Sequence, residues 1–333
     1  MNARLAMRLA LEAAWERQFL TYPNPAVGAA VVGSCGEILS VAAHEEAGKP
    51  HAEVLAIRDA YVKLSGDRSL EGCEDAARLH ELLPEKAGSM FRNMSIVVTL
   101  EPCNHHGKTP PCAALIEKLG FARAVIGVPD PIPGHGGGAE RLKRAGIEVV
   151  TEVEKEACEA LLEPFVKWRK GRFLFFKLAQ SLNGVVNGGV ISCEASRRWV
   201  HRVREKIDWL VIGGETVRTD RPRLDARLTG GKAPDVAIFT KRPETIDRSI
   251  PLFDVPGRRV EFTERLPEKG LIMVEGGPGT FEAMRSEIDW MLLFVAPFVK
   301  EGMGYNAPKH FELLHQRRSG VDSMLFLRAV PDG

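Results

Sequence analysis

Long apolar runs are missing from this chain. No stretch of its 333 residues approaches the roughly 20 needed to cross a bilayer, so no membrane partner is expected. A charge surplus is missing too: the formal net charge is +1. Only 7% of the residues are aromatic, and no basic run is studded with them, which argues against a nucleic-acid partner. There are only 6 cysteines, irregularly placed and without a C-x-x-C pair. They form no disulfide framework, and a reducing, cytoplasmic setting is expected, with metal binding the better use for any clustered pair. The opening MNARLAMRLALEAAWERQF is broken by Arg4, Arg8, Glu12, Glu16 and Arg17, so it reads as an amphipathic helix rather than a secretory leader. No G-x-G-x-x-G fingerprint, internal repeat or low-complexity tract occurs.

What is present is enough apolar content, 44%, for one large domain or two ordinary ones. After the first helix (2–18), AVGAAVV reads as a strand, SCGE as a turn and ILSVAA as a second strand. HAEVLAIRDAYVKL carries a helical apolar stripe that puts His51 at a helix start. Residues 65–93 read as an inserted helical excursion or long loop. SIVVTL, ARAVIGV and IEVV read as strands separated by the helices that open at PPCAALIEKLG and GGGAERLKRAG. Strands alternating with helices predict a three-layer α/β/α domain over 1–155. EACEALLEPFVKWRKGR reads as the connection to a second α/β domain over 165–333. Its strands are FLFFKLA, DWLVIGG, DVAIFT, LIMVEGG and WMLLFVAPF, and its helices lie in ASRRWVHRVREKI and GTFEAMRSEI.

The chemistry concentrates in TLEPCNHHGKTPPC and PHAEV. Zinc prefers thiolate and imidazole donors in a tetrahedral shell, and a catalytic site keeps one position for water. Cys103 and Cys112 supply two donors, and His51 is the best third, because Glu53 follows it by two residues. That H-x-E spacing places a carboxylate beside the metal without making it a ligand, the division of labour of zinc deaminases. Zinc lowers the pKa of water, and Glu53 moves protons between water, a ring nitrogen and departing ammonia. His44, His105, His106 and Lys108 are further polar groups around this point. A structural zinc in a binding module remains the alternative. Cys35, Cys73, Cys158 and Cys193 have no partner motif and read as structural.

PNPAVGA, HEEAGKPHAEV and TLEPCNHHGKTPPC resemble the deaminase domain of the bifunctional riboflavin-biosynthesis deaminase/reductase family. The resemblance implies a cytidine-deaminase-like fold and a phosphorylated diaminopyrimidinone substrate. It assigns zinc to His51, Cys103 and Cys112, proton transfer to Glu53, and substrate contacts to Asn24, His44, His105, Lys108 and Asp130. The family's DPNP loop is D-P-I-P here, with Ile132.

In the second half, VIGGETVRTDRPRL and LIMVEGGPGTFEAM place glycines after strands. Such turns either cradle a phosphate or serve the backbone alone. Arg204 and Arg227 are candidate phosphate ligands or ordinary surface arginines. KLAQSLNG, TVRTDRPRL and VEGGPGT resemble the reductase domain of the same family. That implies a dihydrofolate-reductase-like fold and NADPH as the cofactor, bound by Ala179, Val190, Thr216, Asp220, Gly277, Pro278, Gly279 and Thr280. Arg204, Leu224, Arg227 and Glu275 then face the substrate. Asn183 replaces the family's aspartate, Val190 its tryptophan, and DVAIFTKR lacks a terminal aspartate. The expectation is a bifunctional zinc hydrolase and NADPH-dependent oxidoreductase acting as a homo-oligomer. A deaminase carrying a merely structural second domain is the other reading.

Overall fold

The computed structural model describes residues 3–105, 107, 110–134, 136–304 and 308–331. The chain divides into two compact units, Met1–Val166 and Lys167–Gly333.

The first unit is built on a five-stranded sheet of β1 (Gly28–Val32), β2 (Ile38–Ala43), β3 (Ser95–Leu100), β4 (Arg123–Val128) and β5 (Glu148–Val150), in the order β2-β1-β3-β4-β5. β1 runs antiparallel to both β2 and β3, and β3, β4 and β5 are mutually parallel. β1, β3 and β4 are apolar on both faces, and helices cover both. On one side lie α1 (Ala3–Trp15) and the first half of α6 (Lys155–Lys170). Gly28, Thr99 and Gly127 form a row on that face, and the Thr99 hydroxyl accepts the Gly28 N–H at 3.0 Å. A Cβ on Gly28 would lie 1.9 Å from the Ala10 carbonyl oxygen, and one on Gly127 would lie 2.3 Å from Cys158 Sγ. These glycines are there for close approach. Burial pushes the Cys158 thiol up to about 12, so it behaves as an inert packing residue.

On the opposite side lie α2 (Ala52–Ser65), α3 (Ala76–Ala87), α4 (Cys112–Leu119) and α5 (Gly138–Arg144). Segment 65–93 therefore contributes a helix to this layer, begun by Asp75, whose side chain accepts the Arg78 N–H. α1 is shorter than the 2–18 expected from the apolar pattern. It stops at Trp15, and Phe19 then turns the chain with a φ of 68°. All six cysteines are free thiols.

The second unit holds an eight-stranded sheet in the order β12-β13-β11-β6-β10-β7-β8-β9. β6 (Arg172–Ser181), β7 (Trp209–Gly213), β8 (Asp235–Phe239), β9 (Val260–Thr263), β10 (Gly270–Glu275) and β11 (Trp290–Ala296) are parallel. β12 (Phe311–Ser319) and β13 (Asp322–Ala329) add an antiparallel hairpin. One face packs Leu174, Phe176, Val211, Ile272 and Val274 against Phe281 and Met284 of α9 (Pro278–Met284). On the other face Trp199 of α7 (Glu194–Arg204) packs on Phe294 and Phe326. α8 (Gly214–Asp220) follows β7 directly.

The Gly28 contact yields a prediction. Gly28→Ala drives a methyl into the α1 backbone and should lower the stability of the first unit by about 1–3 kcal/mol, read as a lower urea midpoint. An unchanged midpoint would mean that α1 does not sit on β1 as described.

Candidate active sites

Two helix starts and one strand end converge in the first unit. His51 is the N-cap of α2 and makes no side-chain capping bond, so its ring is available for other work. Glu53 occupies the first turn of the same helix and is buried. Cys103 lies three residues beyond β3, and Cys112 is the first residue of α4. The ligand atoms of His51, Cys103 and Cys112 all fall within 4.8 Å of one another. His51 Nδ1 is 3.4 Å from Cys112 Sγ and 3.7 Å from Cys103 Sγ, and the Cys112 N–H donates to Cys103 Sγ at 3.3 Å.

Electrostatics match a cation site. A hydrogen bond from the Cys112 thiol is the main cause holding Cys103 well below the usual thiol range. Cys112 is held well above it, by the same bond and by burial. Burial pushes the Glu53 carboxyl up, against the opposing pull of His51. His51 is raised: burial draws it down, but the bond to Cys103 and the charge of Glu53 outweigh that. Two sulfurs and an imidazole are the donors zinc prefers, and no fourth His, Cys, Asp or Glu joins the group among the described residues. The donor set therefore fits a zinc ion with a position to spare.

Asn24 and His44 form a relay beside this group. The His44 ring packs edge-on to His51, with centroids 5.4 Å apart. Its Nδ1 donates to the Pro50 carbonyl at 3.1 Å, which leaves Nε2 to accept from Asn24 Nδ2, also at 3.1 Å. Burial, aided by His51, lowers His44 to about 4 and keeps it neutral. His105 is exposed on the loop after Cys103. Asp130 is half-buried after β4, and its Oδ1 accepts the Ile132 N–H at 2.8 Å. Lys108 and His106 lie outside the described residues.

In the second unit the site forms at the C-terminal ends of β6, β10 and β7, on the face covered by α7. Arg204 is no surface arginine: it is buried, and its guanidinium grips both oxygens of Glu275 at 2.8 and 3.0 Å. Arg204 also donates to the Asp225 carbonyl at 3.1 Å. Lys177 stands beside Glu275 in the sheet register. Burial lowers the Lys177 ammonium, and the Arg204 charge adds to this while Glu275 opposes it. Glu275 ends below the usual carboxylate range: burial would raise it, but Arg204 and Lys177 prevail. Leu224 is buried with a φ of 55°, and the loop it bends returns Arg227 onto Asp225 at 2.6 Å. The Arg227 side chain is exposed.

The glycine-rich turns now separate by purpose. A Cβ on Gly213 or Gly276 would lie 2.1 or 2.5 Å from Thr280 Oγ1, so both serve the packing of Thr280. Gly277 and Gly279 meet nothing within 4 Å and need no left-handed backbone, so what they leave is room beside a strand end. Together with Pro278 they form a bare backbone cradle that fits a phosphate-bearing cofactor. Ala179 is half-buried on β6, Thr216 half-buried on α8, and Asp220 exposed at its end. Val190 is 71% exposed and stands apart from any packed surface. Asn183 has a structural use: its oxygen accepts the Lys300 N–H and its amide donates to the Lys300 carbonyl, which an aspartate could not do.

Sequence reasoning missed four residues. Lys177 had a signal, a lone charge in the apolar FLFFKLA strand. Glu101 had one too, as the acid preceding Pro102-Cys103. Asp225 and His201, which accepts the Leu228 N–H at 3.3 Å, had none.

The comparisons with known proteins identify the family of each unit. The cytidine and deoxycytidylate deaminase zinc-binding region matches residues 1–128, and the RibD C-terminal domain matches residues 172–256. The riboflavin biosynthesis protein RibD of Aquifex aeolicus is 31% identical, over 87% of this chain and 86% of that one. RibD of Mycobacterium tuberculosis is 33% identical, over 89% and 86%. The crystal structure of a diaminohydroxyphosphoribosylaminopyrimidine deaminase/5-amino-6-(5-phosphoribosylamino)uracil reductase from Thermotoga maritima superposes with a TM-score of 0.68 at 27% identity, covering 98% of this chain and 99% of that one. With its zinc-binding deaminase unit and its reductase unit both present, the chain belongs to the RibD family of bifunctional deaminase/reductases of riboflavin biosynthesis.

Proposed function

We propose that the first unit removes the 2-amino group of 2,5-diamino-6-(ribosylamino)pyrimidin-4-one 5′-phosphate by hydrolysis. The second unit then reduces the ribosyl group of the product to ribityl, giving 5-amino-6-(ribitylamino)uracil 5′-phosphate. The observation that carries the first half is the buried Glu53 on the helix that His51 begins, beside three zinc donors with no fourth protein donor among the described residues. Zinc held by His51, Cys103 and Cys112 supplies Lewis acidity and lowers the pKa of water.

The chain's own residues do the rest. Glu53, poised upward by burial, accepts a proton from water, passes it to the ring nitrogen and assists departing ammonia. His44, fixed as the Nδ1–H tautomer by Pro50, uses its Nε2 to orient Asn24, whose amide oxygen is then the group presented to the pyrimidine, while the His44 ring lines the pocket. His105, Lys108 and Asp130 complete the contacts to the ring and its phosphorylated tail.

NADPH supplies the hydride in the second unit. Ala179, Val190, Thr216, Asp220 and the Gly277–Thr280 turn hold it. Glu275, charged and locked by Arg204, orients the sugar hydroxyls, with Lys177 as the adjacent proton-bearing group. Leu224 and Arg227 meet the base and the phosphate. The domains are 1–155 and 165–333, with 65–93 as an insertion in the first. The enzyme works in the cytoplasm as a homo-oligomer, on a small phosphorylated pyrimidine rather than nucleic acid. No helix among the described residues is long and apolar enough to cross a membrane.

The test incubates purified protein with the diaminopyrimidinone phosphate, with and without NADPH. Glu53→Gln should retain zinc and lose about 10²- to 10⁴-fold in ammonia release. Undiminished release would remove Glu53 from the mechanism. Cys103→Ser should lower bound zinc below one ion per chain, measured by elemental analysis, while NADPH oxidation on the deaminated intermediate persists. Arg227→Ala should raise KM for that intermediate about 10- to 100-fold through loss of a charge-assisted phosphate contact. No NADPH oxidation by the unaltered enzyme would leave a deaminase with a structural second unit.

A further inference from the structure

Glu101 stands at the end of β3, two residues before Cys103. Its own N–H donates to the Val128 carbonyl at 2.9 Å, prolonging the β3–β4 pairing. Glu101 is 9% exposed, and no lysine or arginine among the described residues pairs with it. Three backbone N–H groups satisfy it instead. Asp130 donates to Oε2 at 3.1 Å, and Gly137 and Ala139 both donate to Oε1 at 2.9 Å. All three lie between the end of β4 and the first turn of α5. Burying a carboxylate without a counter-charge is costly, and only charge-assisted bonds of this kind offset it.

The return is shaped to reach Glu101. A Cβ on Gly138 would lie 1.9 Å from the Pro102 carbonyl oxygen, and one on Gly136 would lie 3.1 Å from Glu101 Oε2. Gly137 has a φ of 97° and faces the Asn104 amide. Three consecutive glycines thus let the return lie flat on Glu101, Pro102 and Asn104, the backbone that brackets Cys103. A cap for α5 alone would need only Gly137 and Ala139. The third bond, to Asp130, falls outside the helix and fixes the start of the return.

We propose that Glu101 is a positioning residue for deamination: it ties the Asp130 return to the strand end that delivers Cys103, and so sets where Asp130 meets the substrate. This rests on the reading that Asp130 contacts the pyrimidine substrate. An amide at position 101 has one acceptor oxygen in place of two and turns an NH₂ toward an N–H donor. The latch opens at one end while its volume is kept.

The experiment uses the full-length zinc-loaded enzyme. Glu101→Gln should raise KM for the diaminopyrimidinone phosphate about tenfold, with kcat within about twofold. Bound zinc and NADPH-dependent reduction should not change, which separates positioning from a fold defect. Asp130→Ala should raise KM as well, and Glu101→Gln should add nothing on that background. A raised KM in Asp130→Ala beside an unaltered KM in Glu101→Gln overturns this inference alone, as do effects that multiply in the double variant. An unaltered KM in Asp130→Ala overturns the substrate assignment of Asp130 and this inference with it. If Glu101→Gln loses zinc, Gly136→Ala carries the same test from the loop side, because its methyl presses on Glu101 Oε2. An unaltered KM there also overturns the inference.

Discussion

Three acidic groups, Cys103, Cys112 and Glu53, are gathered into one poorly hydrated volume beside His51, where only Cys103 is held toward its charged form, and the first unit is arranged around the cost of gathering them. Such a cluster is unfavourable unless a cation or hydrogen-bond donors offset it. Two helices, α2 and α4, begin at this point, where helix starts offer unpaired N–H groups and partial positive charge. The Cys112 N–H on Cys103 Sγ is the direct expression of this. The remaining charge suits a divalent ion, and a position on that ion left free by the protein is what a hydrolytic reaction needs. The sheet serves the same end. β3 brings Cys103 to the ends of α2 and α4, while Gly28 and Gly127 let α1 and α6 close on its far face.

The second unit solves a related problem with ion pairing. Buried Arg204 and half-buried Glu275 and Lys177 form an ionic layer at the ends of parallel strands, where open α/β sheets present their ligand crevices. One guanidinium nitrogen of Arg204, Nη2, reaches both carboxylate oxygens, while Nη1 is held by the Asp225 carbonyl. The neighbouring loop is held by its own pairings, with Asp225 between Arg223 and Arg227 at 2.6 Å each. In both units a charged group proposed to meet substrate, Asp130 or Arg227, lies on a loop braced by a second acidic group. Glu101 and Asp225 are the braces.

Most elements that carry continuous apolar runs were legible. β1, β3, β4, β6, β7, β10 and β11 all announce themselves by valine, isoleucine, leucine and phenylalanine. The hairpin β12–β13 was not, because FELLHQRRS mixes charge into its pattern as an edge strand exposed along much of its length does. α3 lay hidden in the polar segment 65–93, since its buried stripe is only Ala76, Leu79, Leu83 and Ala87. Among functional residues the sequence exposed those whose type is dictated by chemistry. Zinc demands cysteine and histidine, so His51, Cys103 and Cys112 stood out with Glu53 beside them. Lys177 and Glu101 carry only a weaker mark, their place in an apolar strand or before Pro102-Cys103, and Asp225 carries none, because an acid or a lysine is ordinary on a surface and exceptional only when removed from water.

By itself, then, the sequence determined the two α/β halves and the residue types of the metal centre, because apolar periodicity and ligand preference are properties of residues. It also placed Arg204 and Glu275 as candidates without linking them. Only the tertiary structure decided that Arg204 neutralises Glu275, that Gly213 and Gly276 serve Thr280 while Gly277 and Gly279 leave a cradle, and that Glu101 latches the Asp130 return. Each of these depends on burial and on groups tens of residues apart coming within hydrogen-bond reach. Burial decides whether a charge is solvated or must be paired, and a linear sequence does not contain it.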